Sequence, residues 1–121
     1  MALPIVHPLA ETVVYAQVAS VASTSVVYTR APFRGKVTKV GNTFSSASTT
    51  ADATCTTSIA GTNITGGVVI DTQSASAAGS TFSASPTAAN ACNEDDNIGF
   101  TFSGSGTGGG PVTCWAVVIR T

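Results

Sequence analysis

The sequence predicts an all-β fold, a single-domain antiparallel β-sandwich of jelly-roll-like type with an extended N-terminal arm. Charged residues make up only 9% of the 121 positions, against about 25% in an average soluble domain. Ala, Val, Ser, Thr and Gly take their place, a composition typical of strands joined by small-residue loops. Short segments of alternating apolar and polar residues recur with turn residues about every ten positions, which is the pattern of a sandwich.

Residues 1–10 predict the arm, and residues 11–121 the sandwich domain. The arm contains Pro4 and Pro8, shows no apolar periodicity, and has no positively charged start of the kind that secretory signals carry. It is nevertheless rich in apolar side chains, which suggests that it contacts a partner. The candidate contact residues of the arm are Leu3, Ile5, Val6, His7 and Leu9.

Eight strands are expected in the domain. Their predicted ranges are 12–19, 24–30, 33–45, 52–60, 63–71, 80–83, 97–103 and 112–120. The clearest is 97–103, where Ile98, Phe100 and Phe102 alternate with small or polar residues. The segment "SIAGTNIT" predicts a hairpin with its turn at 61–63.

Three irregular segments interrupt this pattern. The apolar parity slips between Val37 and Val40, which predicts a bulge near 39–41. "SPTAAN", at 85–90, has a Ser cap followed by Pro and predicts one helical turn. "GSGTGGGP", at 104–111, predicts a flexible loop.

The segment "NEDDN", at 93–97, holds three of the six acidic residues. Its first, third and fifth residues match the first half of a calcium loop, but the sixth position is Ile98 instead of Gly and the twelfth is Gly104 instead of Glu. Catalytic carboxylates must flank a substrate from separate elements. We therefore interpret the segment as a polar turn, with no metal site.

No motif of an enzyme is present. The chain has no phosphate loop, no Rossmann glycine pattern and no CxxC pair, and we expect no cofactor. Spacing leaves open a triad around His7, because triads assemble in space, but a single histidine in an arm is typical of a contact residue. Trp115 shares strand parity with Val117 and Ile119, which predicts a core position. The alternative, an aromatic platform for carbohydrate, requires Trp115 to be exposed.

The three cysteines, Cys55, Cys92 and Cys114, are odd in number and lack metal-type spacing. We expect them to be reduced and to form no essential disulfide, with Cys55 in the core. The net charge of −1 implies no general affinity for nucleic acid. Four of the five cations lie within ten residues, and we interpret them as a partner-facing edge. These cations are Arg30, Arg34, Lys36 and Lys39.

Four stretches together resemble the small head decoration, or cement, proteins of tailed bacteriophages. They are "APFRGKVTKV", "TTADATCTTSIAGTNITGGVVI", "SAAGSTFSASPTAAN" and "GFTFSGSGTGGGPVTCWAVVI". The resemblance covers residues 31–119, and its most specific parts are the "ADAT" hairpin and "PTAAN". The three cysteines depart from the family's pattern, which has hydrophobic or small residues at such positions.

The resemblance implies a non-enzymatic β-sandwich that is made in the host cytoplasm and binds the outer capsid surface of the virion. Its partners would be the major capsid protein and further copies of itself, as a homodimer or homotrimer at a symmetry axis. No nucleic acid or membrane partner is expected. The alternative from another class is a head-fibre or host- or glycan-binding virion module, which needs exposed aromatic side chains.

Overall fold

The computed structural model describes residues 10–23 and 25–121 and shows an all-β chain. The strands are β1 (Glu11–Val18), β2 (Val27–Arg30), β3 (Gly35–Phe44), β4 (Ser48–Thr49), β5 (Ala53–Ile59), β6 (Thr62–Asn63), β7 (Val69–Asp71), β8 (Thr81–Ala84), β9 (Ala91–Cys92), β10 (Asn97–Gly104), β11 (Thr107–Gly108) and β12 (Val112–Arg120). A single 3₁₀ turn spans Gln73–Ala75 in the described part of the chain. No helix of the described ranges is long and apolar enough to cross a membrane.

All strand pairs are antiparallel, and they form two five-stranded sheets and a two-stranded ribbon. The first sheet has the order β1-β12-β3-β8, with β9 also paired to β3. The second has the order β2-β10-β5-β6, with β7 also paired to β5, and the ribbon joins β11 to β4. The predicted antiparallel sandwich is therefore confirmed, while the jelly-roll-like topology stays a prediction.

The core lies between the two sheets. Strand β5 shows the alternation that creates it, since Ala53, Cys55, Thr57 and Ile59 are buried while the residues between them are half-exposed. Phenylalanines fill the space from both sides, and Phe44 packs edge-on against Phe82 with ring centroids 5.4 Å apart. Removal of this apolar surface from water is the main force that holds the sheets together.

The predicted hairpin after β5 is confirmed, but its turn lies earlier than the expected 61–63, and residues 62–63 form the short strand β6. Ser58 pairs with Asn63 across a turn at Ala60–Gly61, whose φ angles are 50° and 85°. Positive φ at both central residues is the geometry that matches the twist of a two-residue hairpin. A continuous strand over 63–71 is wrong. The chain leaves the sheet to form an isolated bridge between Thr65 and Ala88, and rejoins β5 only with β7.

The predicted bulge in β3 is present one residue earlier than expected. Lys39 lies opposite Val117 and Val37 lies opposite Val118, so Thr38 is the extra residue. Because of this bulge, Val37 and Val40 both point into the core, where each is fully buried.

Two irregular segments differ from their prediction. The helical turn expected at 85–90 is wrong, because the backbone there pairs instead: Thr87 N donates to Thr65 O at 2.8 Å, and Thr65 N donates to Ala88 O at 2.9 Å. The loop at 104–111 is tied to its neighbours through β11. Gly109 N donates a hydrogen bond to Ala47 O, and Gly109 O accepts one from Ser45 N, at 3.2 Å each. The φ angle of Gly109 is 77°, a backbone conformation that would be strained in a residue with a side chain.

Candidate functional site

The outer side of the first sheet carries an apolar surface, which we call the β1/β12 face. It consists of Glu11, Val13, Tyr15 and Gln17 on β1, Lys36, Lys39, Gly41 and Thr43 on β3, and Thr113, Trp115, Val117 and Ile119 on β12. Register places these residues in rows, since Val13 pairs with Val117 and Tyr15 pairs with Trp115. Val13 is 54% exposed and Tyr15 is 63% exposed. Contiguous exposed apolar residues of this kind commonly mark an interaction surface.

Trp115 lies on this face, so the core position predicted for it is wrong. The buried parity of β12 is the opposite one, while Trp115, Val117 and Ile119 are half-buried. Sequence could not decide between the two parities, because both sets of residues are apolar. The indole ring lies across Gly41 of β3, where a Cβ would overlap the ring.

Hydroxyl and amide groups line the same face beside the aromatic rings. Trp115 Nε1 donates a hydrogen bond to Thr43 Oγ1 at 3.2 Å, and the Thr43 and Thr81 hydroxyls are 3.1 Å apart. Gln17 Nε2 donates to Thr113 Oγ1 at 3.2 Å. The bond to Thr43 orients the indole, so the face presents aromatic and uncharged polar groups side by side.

The four clustered cations are all exposed, but they do not form one patch on one sheet. Lys36 lies opposite Ile119 and Lys39 opposite Val117, so the bulge places both lysines on the β1/β12 face. Arg30 ends β2 in the second sheet, where it pairs with Asn97. Arg34 lies in the loop between β2 and β3.

The candidate contact residues of the arm, Leu3, Ile5, Val6, His7 and Leu9, lie outside the described residues. The position where the arm joins the domain is described. Ala10 O accepts a hydrogen bond from Arg120 N at 2.8 Å, and Thr121 N donates to Arg34 O at 3.4 Å. The arm therefore joins the sandwich at the same end as the β2–β3 loop, which carries Arg34.

The "NEDDN" segment is a turn between β9 and β10, as predicted. Asp96 Oδ2 accepts from Asn93 N at 2.8 Å, and Asp96 N donates to Asn93 O at 3.1 Å. Such a side-chain contact to the backbone is how aspartate stabilises turns. No group of three potential metal ligands occurs among the residues that the structure describes. The same residues form no pocket.

The second sheet also exposes apolar residues, in two separate pairs: Val26 with Tyr28 at β2, and Val68 with Ile70 at β7. Tyr28 and Ile70 are each 60% exposed. They come from β2 and β7, which border β10 and β5 on opposite sides. The half-exposed residues between them are threonines and serines such as Thr54, Thr56 and Thr101. This surface therefore offers a matched reference for the β1/β12 face.

A polar cluster crosses the core, and sequence analysis missed it. Asn42 of β3 donates from Nδ2 to both carboxylate oxygens of Asp71, on β7 of the other sheet, at 3.0 and 2.9 Å. Both residues are fully buried. Burial raises the pKa of Asp71 from 3.8 to about 6, and the Asn42 hydrogen bond partly opposes this rise. Asn42 Oδ1 has no hydrogen-bond partner among the described residues.

Comparisons with known proteins leave the family open. No family model matches the chain, no curated protein matches it, and no solved structure matches it.

Proposed function

We propose that this protein is a non-enzymatic decoration, or cement, protein that binds the outer surface of a tailed-phage capsid and stabilises the shell. The observation that carries the proposal is the β1/β12 face. Its apolar centre, Val13, Tyr15, Trp115 and Val117, is bordered by Glu11, Lys36 and Lys39. An apolar centre with a polar border is the usual anatomy of a protein–protein contact surface. The resemblance over residues 31–119 supports the same function.

Attachment would use two adjoining regions of the chain. The arm residues Leu3, Ile5, Val6, His7 and Leu9 would dock on the major capsid protein. The β1/β12 face begins where the arm ends, so both contacts can form together. Each apolar side chain that becomes fully buried contributes about 1.5–3 kcal/mol. The cations Arg30, Arg34, Lys36 and Lys39 would orient the domain on an acidic capsid surface, since complementary charge governs encounter and register.

Copies of the chain would bridge neighbouring capsid subunits as a homodimer or homotrimer at a symmetry axis. The outer edge of β1 pairs with no strand among the described residues, and Glu11 is the only charged residue of this eight-residue strand. An edge of this length with a single charge, at its first residue, favours strand pairing with another chain. Repetition of the contact over the capsid makes modest single contacts effective. The protein would be made in the host cytoplasm and act on the virion.

Paired surface variants test the proposal. The double variant Val13→Ser/Tyr15→Ser removes the exposed centre of the β1/β12 face, while Tyr28→Ser/Ile70→Ser removes two equally exposed apolar side chains from the second sheet. The measurement is co-sedimentation with empty capsids of the phage that encodes the chain. We expect the first variant to bind at least about tenfold more weakly, and the control to bind as wild type. Equal binding by all three proteins would contradict this surface as the attachment site.

A second candidate function, a glycan-binding virion module, is favoured by the position of Trp115. Neutral sugars bind proteins through aromatic rings and through hydroxyl or amide partners. The β1/β12 face has both, with Tyr15 and Trp115 adjacent and Gln17, Thr43 and Thr113 beside them. Titration with neutral oligosaccharides, followed by Trp115 fluorescence, separates the two functions. Saturable quenching that Tyr15→Ser abolishes would support the glycan module.

A further inference from the structure

Two cysteines meet in the middle of the core from opposite sheets. Cys55 lies on β5 of the second sheet and Cys114 on β12 of the first. Their side chains are 1% and 0% exposed, and the Cys55 thiol lies close enough to Cys114 to raise the pKa of its thiol. All three cysteines of the chain are free thiols in the structure, so the fold does not require a disulfide.

The backbone around this pair is held firmly on both sides. Strand β12 lies between β1 and β3, and β5 lies between β10 and β7, so each cysteine sits on a strand with neighbours at both edges. Cys114 is opposite Asn42 in the ladder of the first sheet. Asn42 in turn bonds across the core to Asp71, two residues along β7 from the partner of Cys55, Val69. The two sheets are therefore in direct polar contact in the layer that contains both thiols.

Cys92 lies elsewhere. It is opposite Gly35 on β3, and its thiol is 3.8 Å from Phe33 O. The odd number of cysteines therefore resolves into one pair and one single thiol, a distinction that spacing in the sequence does not reveal.

We propose that Cys55 and Cys114 are a disulfide-forming pair, which a small disulfide oxidant such as glutathione disulfide converts into a covalent link between the two sheets. A thiolate of the pair attacks one sulfur of glutathione disulfide and forms a mixed disulfide, and one glutathione thiolate leaves. The second cysteine, as its thiolate, attacks the sulfur of the first cysteine in this mixed disulfide and displaces the second glutathione thiolate. The protein loses two electrons and two protons in total, and glutathione disulfide is reduced to two glutathione molecules.

Burial controls when this exchange occurs. The thiolate is the reactive form of cysteine, and the hydrogen bond with Cys55, followed by burial, raises the pKa of Cys114 above its ordinary range. The native pair is therefore closed to the oxidant and unreactive. The link forms while the chain folds, or when the sandwich opens locally, and it then becomes shielded from reductants.

The link would stabilise the sandwich strongly. It closes a loop of more than fifty residues between β5 and β12, and cross-links over long loops remove the most conformational entropy from the unfolded chain. It joins a strand of one sheet to a strand of the other, so it opposes separation of the sheets directly. For a domain of this size we expect the melting temperature to rise by on the order of 10 °C.

The experiment compares full-length protein refolded from denaturant with glutathione disulfide and protein refolded with a phosphine reductant. Both samples are alkylated under denaturing conditions and measured by intact mass and peptide mapping. We expect one alkylated cysteine, Cys92, and a Cys55–Cys114 cross-linked peptide in the oxidised sample. The reduced sample should show three alkylated cysteines and the lower melting temperature.

Variants check the assignment. Cys92→Ala should still form the link and show the same rise in melting temperature, while Cys55→Ala and Cys114→Ala should show neither. If the last two fail to fold, the peptide map of the wild type still decides which cysteines are joined. Three alkylated cysteines after refolding with the oxidant, glutathione adducts without a cross-link, a cross-link that includes Cys92, or an unchanged melting temperature would each overturn the proposal.

Discussion

Substitution of the buried Asp71 by asparagine should stabilise the protein at neutral pH. Asp71 is 0% exposed, and its direct hydrogen-bond partner is Asn42. Asn42 Nδ2 already serves the carboxylate, whereas Asn42 Oδ1 lacks a donor among the described residues. An amide at position 71 would keep one acceptor for Nδ2 and supply the missing donor to Oδ1, and it would remove the cost of a buried charge.

The magnitude follows from the pKa of Asp71. Burial raises it from 3.8 to about 6, and one pKa unit corresponds to about 1.4 kcal/mol, which gives about 3 kcal/mol. The folded state holds the proton more tightly than the unfolded state. The contribution of the protonated Asp71 to the free energy of unfolding is therefore complete below about pH 4 and is lost as the pH rises to about 6. Cys114, in the same layer, stays neutral over that range, because the contact with Cys55 and burial raise the pKa of its thiol.

Urea unfolding of wild type and Asp71→Asn between pH 3.5 and 8, followed by Trp115 fluorescence, measures the effect. The difference between the two free energies of unfolding isolates Asp71, because the two proteins are identical at every other position. We expect the free energy of unfolding of the variant, relative to that of wild type, to increase by about 3 kcal/mol between pH 4 and pH 7. Asp95→Asn, an exposed position in the β9–β10 turn, is the matched control and should show no such growth. A difference that stays constant with pH, or a less stable variant at pH 7, would refute the reasoning.

Three further predictions concern the turn, the indole and the arm. Asp95→Asn with Asp96→Asn should leave the melting temperature nearly unchanged with or without calcium, because asparagine keeps the turn-forming acceptor; a calcium-dependent rise in wild type alone would instead establish a metal site. Gly41→Ala should cost about 1–3 kcal/mol and shift the emission of Trp115 to longer wavelength, since the new Cβ would overlap both the indole ring and the backbone oxygen of Phe82. Deletion of residues 2–9 should leave the melting temperature little changed but abolish capsid binding in co-sedimentation; wild-type binding by the deletion protein would mean that the arm is not the anchor.

Strand alternation made much of the fold predictable from sequence. Strands such as β10 have only one apolar parity, so Ile98, Phe100 and Phe102 could be assigned to the core directly, and all three are buried. Local signals failed where distant pairing decides the structure. The segment at 85–90 has the residues of a helical turn, but its backbone donors and acceptors find Thr65 from a separate part of the chain. No local pattern encodes that partner.

The polar core was not predictable for the same reason. Asn42 and Asp71 are 29 positions apart. Each by itself is a polar residue of the kind expected on the exposed side of a strand. Only the assembled sandwich brings them together, because β3 and β7 belong to different sheets. The same holds for Cys55 and Cys114. Their types were visible in the sequence, but their contact depends on which parity of β12 faces inward.

The parity of β12 also carries the strongest physical argument about function. The residues that this strand buries are Val112, Cys114, Ala116 and Val118, and the residues that it turns outward are Thr113, Trp115, Val117 and Ile119. The chain thus places its only tryptophan outside and an alanine inside. Tryptophan is largely buried in most proteins, and a free-standing domain would gain by burying it. Small inward residues let the two sheets approach closely, while large outward ones give an exposed face the apolar area that a partner can cover. A strand built in this way supports the proposal that a partner covers the β1/β12 face, as attachment to a capsid would require.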